Sequence, residues 1–127
     1  MENRNELLSD DPLALERFLT RKSDYTLALF YHFINEFKKI APISIHPGKT
    51  MIGISNPRRK IVYICQLGRN FIHVIFIFKQ AWHDNFCFQK VVPMPGDNTR
   101  MTHHFRMLHI DDVNDEVLKF MKMAWES

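Results

Sequence analysis

The sequence predicts an α+β domain: an antiparallel β-meander of four to six strands, two long helices packed on one face, and a short N-terminal helix. Three observations carry this reading. Apolar residues recur at three- and four-residue steps in "KSDYTLALFYHFINEFKKIAP" and again in "DDVNDEVLKFMKMAW", the spacing of one helix face. The residues between are dense in β-branched and aromatic types, which strands favour. Short turn-forming sets, "NPRRK", "GRN" and "PMPGDN", divide that middle part.

"DDPLALERFL" is a helix start, with Asp11 as N-cap and Pro12 at the first helical position, where its missing N–H costs nothing. In the first long helix Ser23 or Asp24 supplies the cap. Leu27, Phe30, Tyr31, Ile34 and Phe37 share its apolar face, and Pro42 stops it. "ISIHP" and "KTMIGIS" read as short strands. "IVYICQL" and "FIHVIFIFK" are strands joined by a tight hairpin at "GRN". "CFQKVV" is a further candidate strand, stopped by "PMPGDN", and "HHFRMLH" is the last strand. Asp111 or Asp112 is expected to cap the final helix, whose stripe is Val113, Val117, Phe120, Met121 and Ala124. Phe71, His73, Ile75 and Ile77 alternate with Ile72, Val74, Phe76 and Phe78. Both faces of that strand are apolar, so it is central, and its second face calls for cover by the N-terminal helix, the Trp82 loop or a second copy of the chain.

The 127 residues fit one domain, with 1–22 as an extension and 23–127 as the α+β core. Eleven Phe imply a bulky core and exclude a disordered chain. Cys65 and Cys87 sit in apolar runs and read as buried thiols rather than a disulfide. The N-terminus shows no apolar signal region, and the longest apolar run falls far short of the ~18 residues of a membrane span. A cytoplasmic protein with no membrane partner is expected.

Charge is uneven. Residues 44–106 hold nine Lys/Arg and two acids, hence +7, while the rest holds eight and twelve, hence −4. The basic part is the part that reads as strands. That points to an anionic partner, with nucleic acid or another polyanion the class to test.

Three motifs need weighing. "HPGKT" contains the tail of a phosphate loop, but Ile43 stands where the first glycine belongs and a strand follows Thr50. Without a helix N-terminus there is no cradle for a triphosphate. The histidines of "THHFRMLH" look like a metal site, but alternation separates them. His103 and His109 lie ~20 Å apart along a strand, and His104 points to the other face, so no metal and no cofactor are expected. His104 and Arg106 do share a face, and with Lys49 they could form a small anion pocket or an enzyme site; a solvated or ion-paired sheet face explains the pair as well. The candidate anion- or partner-contacting residues are therefore Lys49, Thr50, Arg58, Arg59, Arg69, His104 and Arg106, and no catalytic residue is assigned.

"HHFRMLHIDDVNDEVLKFMKMAW" resembles the ending of a family of small, mainly bacterial domains, domain of unknown function 5655. That ending follows a pattern like H-x-V-R-L-x-S-x-x-D-L-D-x-E-L and then a helix closing in an aromatic. His103 or His104, Arg106, Met107, Asp112, Val113 and Glu116 fit it. "GKTMIGIS" resembles the family's K-T-x-I-x-F strand through Lys49, Thr50, Ile52 and Ile54, and "RRKIVYI" its basic turn. His109 departs from the usual capping Ser, Asn114 from the usual Asp, and Ile54 from an aromatic. The resemblance implies a compact fold and no known reaction. Two readings follow: a binding module whose basic sheet edge meets an anionic partner, or a small-molecule site built on Lys49, His104 and Arg106. A homodimer through the sheet is compatible with either.

Overall fold

A computed structural model describes residues 9–127. It is α+β: one open, six-stranded antiparallel sheet and three α-helices. Helix α1, Pro12–Leu19, begins at Asp11, whose carboxylate accepts from the Ala14 N–H. Helix α2, Asp24–Ile40, begins at Ser23, whose hydroxyl accepts from the Thr26 N–H. Strands β1 (Ser44–Pro47), β2 (Ile52–Ser55), β3 (Lys60–Leu67) and β4 (Ile72–Phe78) follow as consecutive antiparallel neighbours. Strand β2 is shorter than its apolar pattern suggested. Lys49, Thr50 and Met51 belong to the turn before it, where the Gly48 N–H donates to the Met51 carbonyl.

The meander ends at β4. Strands β5 (Phe88–Met94) and β6 (Asp97–Met107) form a hairpin, and β6 rather than β5 lies beside β4, giving the order β1-β2-β3-β4-β6-β5. Pro93 explains why β5 takes the edge: a residue without an N–H breaks the ladder of a central strand but is tolerated at a border. Within "PMPGDN", Pro93 and Met94 end β5, Pro95 and Gly96 make the hairpin turn, and Asp97 opens β6. Gly96 sits in that turn with φ +78°, a conformation glycine reaches without steric cost. The opposite edge, β1, is covered by the N-terminal segment, where Ser9 bridges Ile45 in parallel and the Asp10 N–H donates to the Ile45 carbonyl.

Two further expectations are corrected at the C-terminus. The last strand ends at Met107 and does not reach His109. Helix α3, Asp115–Glu126, is capped by Asn114, whose side-chain oxygen accepts from the Val117 N–H. Asp111 and Asp112 form a 3-10 turn before it. The Asp112 carboxylate turns back to accept from Leu108 N–H and His109 N–H, so the predicted cap serves a tighter turn upstream.

Register places Val62, Ile64, Val74, Phe76, His103 and Phe105 on one sheet face. Phe33 of α2 meets the rings of Phe76 and Phe105 there, and Phe120 of α3 meets Phe78 and Phe88. These rings join one buried cluster that also takes in Leu15 and Leu19 of α1. The thiols are half-buried and free, rather than buried as their apolar runs suggested. No helix among the described residues is long and apolar enough to cross a membrane.

Candidate functional site

Four of the expected site residues lie apart from one another's pockets. Lys49 is exposed beside Arg17 and Phe18 of α1. Thr50 lies in a separate depression with Lys22 and Cys65. Arg69 is in the β3–β4 turn, where its carbonyl accepts from the Ser23 hydroxyl. Arg106 lays its guanidinium on the Phe71 ring at 3.9 Å.

His104 is committed elsewhere again. Its Nδ1 is 2.8 Å from His73 Nε2, and its Nε2 is 3.1 Å from the Thr102 hydroxyl. That hydroxyl also reaches the Val92 carbonyl at 3.1 Å. A carbonyl can only accept, so the single hydroxyl hydrogen goes to it. Nε2–H of His104 then donates to the hydroxyl oxygen, and His73 Nε2–H donates to His104 Nδ1. Both rings are neutral in this chain. Burial lowers His104 to a pKa of about 4, with His73 and Lys90 adding repulsion. Burial lowers His73 too, followed by Arg106 and Lys90. The ring centroids are 5.0 Å apart, which sets the two nitrogens on the line between the rings. That is hydrogen-bond alignment and leaves no shared corner for a metal ion. Among the described residues no three His, Cys, Asp or Glu converge on a metal position.

The predicted trio of Lys49, His104 and Arg106 is therefore not brought together. Both His104 nitrogens are bonded, so neither is left to hold an anion. His103 is also structural: it is fully buried, and its Nε2 accepts from the Trp82 N–H at 3.0 Å while Nδ1 reaches the Met101 carbonyl at 3.3 Å. This pins the Trp82 loop.

Arg58 and Arg59 do gather with other cations. They line a cleft of about 350 Å³ together with Lys60, Lys79 and Arg100. The β2–β3 turn supplies Arg58 and Arg59, the first residue of β3 is Lys60, Lys79 directly follows β4, and β6 supplies Arg100. Trp82, Phe78 and Met123 give the cleft an apolar wall, and no Asp or Glu lines it. Arg100 is paired with Asp97 at 2.8 Å. Among the described residues Arg58, Arg59, Lys60 and Lys79 have no carboxylate within ion-pair distance. The sequence marked two of the five cations. Lys79 and Arg100 are distant in sequence, and only the pairing of β4 with β6 brings them near.

Asn56 shapes this turn. It is buried, its side-chain oxygen accepts from Arg58 N–H and Arg59 N–H, and its amide donates to the Trp125 and Ser127 carbonyls. The turn is thus tied to the C-terminal end of α3.

A second concavity lies on the other face of the sheet. Tyr63, Ile75, Ile77, Val92, Met94 and Met51 line an apolar groove of about 500 Å³, with Lys90 and His104 on its wall. The N-terminal helix and the Trp82 loop, two of the three alternatives for covering this face, do not line it. Trp82 packs instead on Phe120, on the helix side.

Comparison with protein-family models, with curated proteins and with solved structures returns no match.

Proposed function

We propose that this chain is a non-catalytic binding module for a polyanion, nucleic acid being the favoured partner, and that the basic cleft is its contact. The observation that carries the reading is the convergence of five cations on one cleft that no Asp or Glu lines, four of them without an ion pair among the described residues. Phosphates bound there release counterions, which drives association and makes it salt-dependent. Trp82 offers an aromatic surface beside the charges. In this reading α2 and α3 cover one sheet face and leave the cleft end and the opposite face to the partner. Lys49, Thr50, Arg69 and Arg106 serve as peripheral charge and framework. The resemblance to domain of unknown function 5655 is compatible with such an accessory role and supplies no competing reaction.

The test is a salt titration of binding to labelled DNA. Arg58→Ala with Arg59→Ala should lower the slope of log affinity against log salt by roughly 1.4 to 1.8 if each arginine neutralises one phosphate. Unchanged affinity and slope would remove the cleft as the contact.

A further inference from the structure

The basic cleft and the apolar groove share one wall residue. Ile77 lines both. Across the groove, register sets Tyr63, Ile75, His104 and Lys90 in one row, and Lys90 is exposed and has no ion pair among the described residues. No Asp or Glu lines either part. Cations thus stand at both ends of an apolar strip that carries one aromatic ring. The neutral His73–His104 pair keeps the strip's polar border uncharged near pH 7.

This arrangement discriminates between kinds of nucleic acid. A duplex turns its phosphates outward and stacks its bases inside, so a phosphate ridge needs charge and gains nothing from an apolar trough. A single strand exposes phosphates and base faces together, and each base face loses water on meeting an aromatic or apolar floor. A second copy of the chain fits less well, since Lys90 and Lys60 would meet surfaces of their own sign.

We propose that this surface binds single-stranded nucleic acid, with backbone phosphates on the cleft cations and Lys90 and with bases laid across Tyr63 and Ile75. The proposal rests on the polyanion reading of the cleft and adds the groove as a base platform.

The probes are a labelled oligo-dT of about 15 nucleotides, a length within the reach of one small binding surface, and the same strand paired with oligo-dA. Anisotropy titrations at moderate salt should show the single strand bound about tenfold or more tighter than the duplex. Tyr63→Leu keeps the apolar bulk and removes the ring. It should weaken single-strand binding about tenfold, toward the lower end of the range for one stacked base because leucine keeps the apolar contact, and leave duplex binding and the salt slope unchanged. Lys90→Ala, at an exposed position, should lower the single-strand slope by about 0.7, and it carries the test should Tyr63→Leu melt early. Arg58→Ala with Arg59→Ala should weaken both probes. If the duplex binds as tightly as the single strand while the arginine variant still weakens both, the single-strand proposal falls and the polyanion reading stands. If neither probe binds at low salt, both fall. A dimer in sedimentation that Ile75→Gln dissolves would assign the groove to a second copy and overturn the proposal.

Discussion

Asn56 does more to shape the basic turn than either arginine beside it. One buried amide accepts two N–H groups from the turn and donates to two carbonyls near the chain's end. In sequence it reads only as the first residue of a turn before Pro57, because its partners lie 69 and 71 positions away. Asn56→Ala strips all four bonds and should cost about 2 kcal/mol, as expected for buried polar groups left without partners. Asn56→Asp keeps the acceptor for Arg58 and Arg59 and loses both donors. Measured by urea denaturation, the Asp variant should also be destabilised, because its carboxylate faces the Trp125 and Ser127 carbonyls. Equal stability of Asp variant and parent would show that the link to α3 carries no weight. The same scale explains why the histidines misled. Alternation put His103 and His104 on opposite faces, as register does, but His104's partner, His73, sits on a neighbouring strand, diagonal to it. Only register reveals that its nitrogens are spent.

Among the elements, local chemistry was legible and long-range pairing was not. The caps at Asp11 and Ser23 follow from side-chain oxygens preceding an apolar period, a purely local rule. At α3 two acids and one asparagine competed for the same role. Asp111 and Asp112 lost because the 3-10 turn intervenes. Asn114→Ala should therefore cost about 1 kcal/mol, while Asp111→Ala, exposed and outside the helix, should stay within about 0.5 kcal/mol of the parent. The reverse order in thermal melts would restore the acid as the cap. Phe120 is the anchor of the same helix, with rings of Phe78, Trp82 and Phe88 around it. Phe120→Ala should destabilise by roughly 3 to 5 kcal/mol, and an unchanged denaturation midpoint would contradict its place in the core. The order β4-β6-β5 had no local signal, since apolar alternation says that a strand pairs without saying with which neighbour.

At the scale of the molecule, the uneven charge read from the sequence becomes geography. The +7 middle segment forms the sheet, and the two long helices lie in the acidic remainder. Composition exposed the excess of positive charge but not the cleft, which needs β3, β4 and β6 side by side. The fold also sets a whole-molecule response to acid. His73, His103 and His104 are all held below their ordinary value of 6.5, burial being the largest cause in each. The native state therefore keeps them neutral while the unfolded chain takes up protons below pH 6.5. Through that window the unfolded state binds more protons, so stability falls as pH drops toward about 4, where His104 itself titrates in the native state. Above the unfolded value these groups contribute no slope. Asp97 does not interfere, because hydrogen bonds, chiefly from Thr99, lower its pKa to about 2 and its stabilisation is lost only at more acid pH. Urea midpoints measured from neutral pH down to about 4.5 should decline for the parent. His104→Gln replaces the ring by an amide that never titrates here, so its midpoints should decline less steeply over the same range. Parallel curves for parent and variant would mean that His104 is free to protonate in the folded protein and that the His73–His104–Thr102 chain does not hold it neutral.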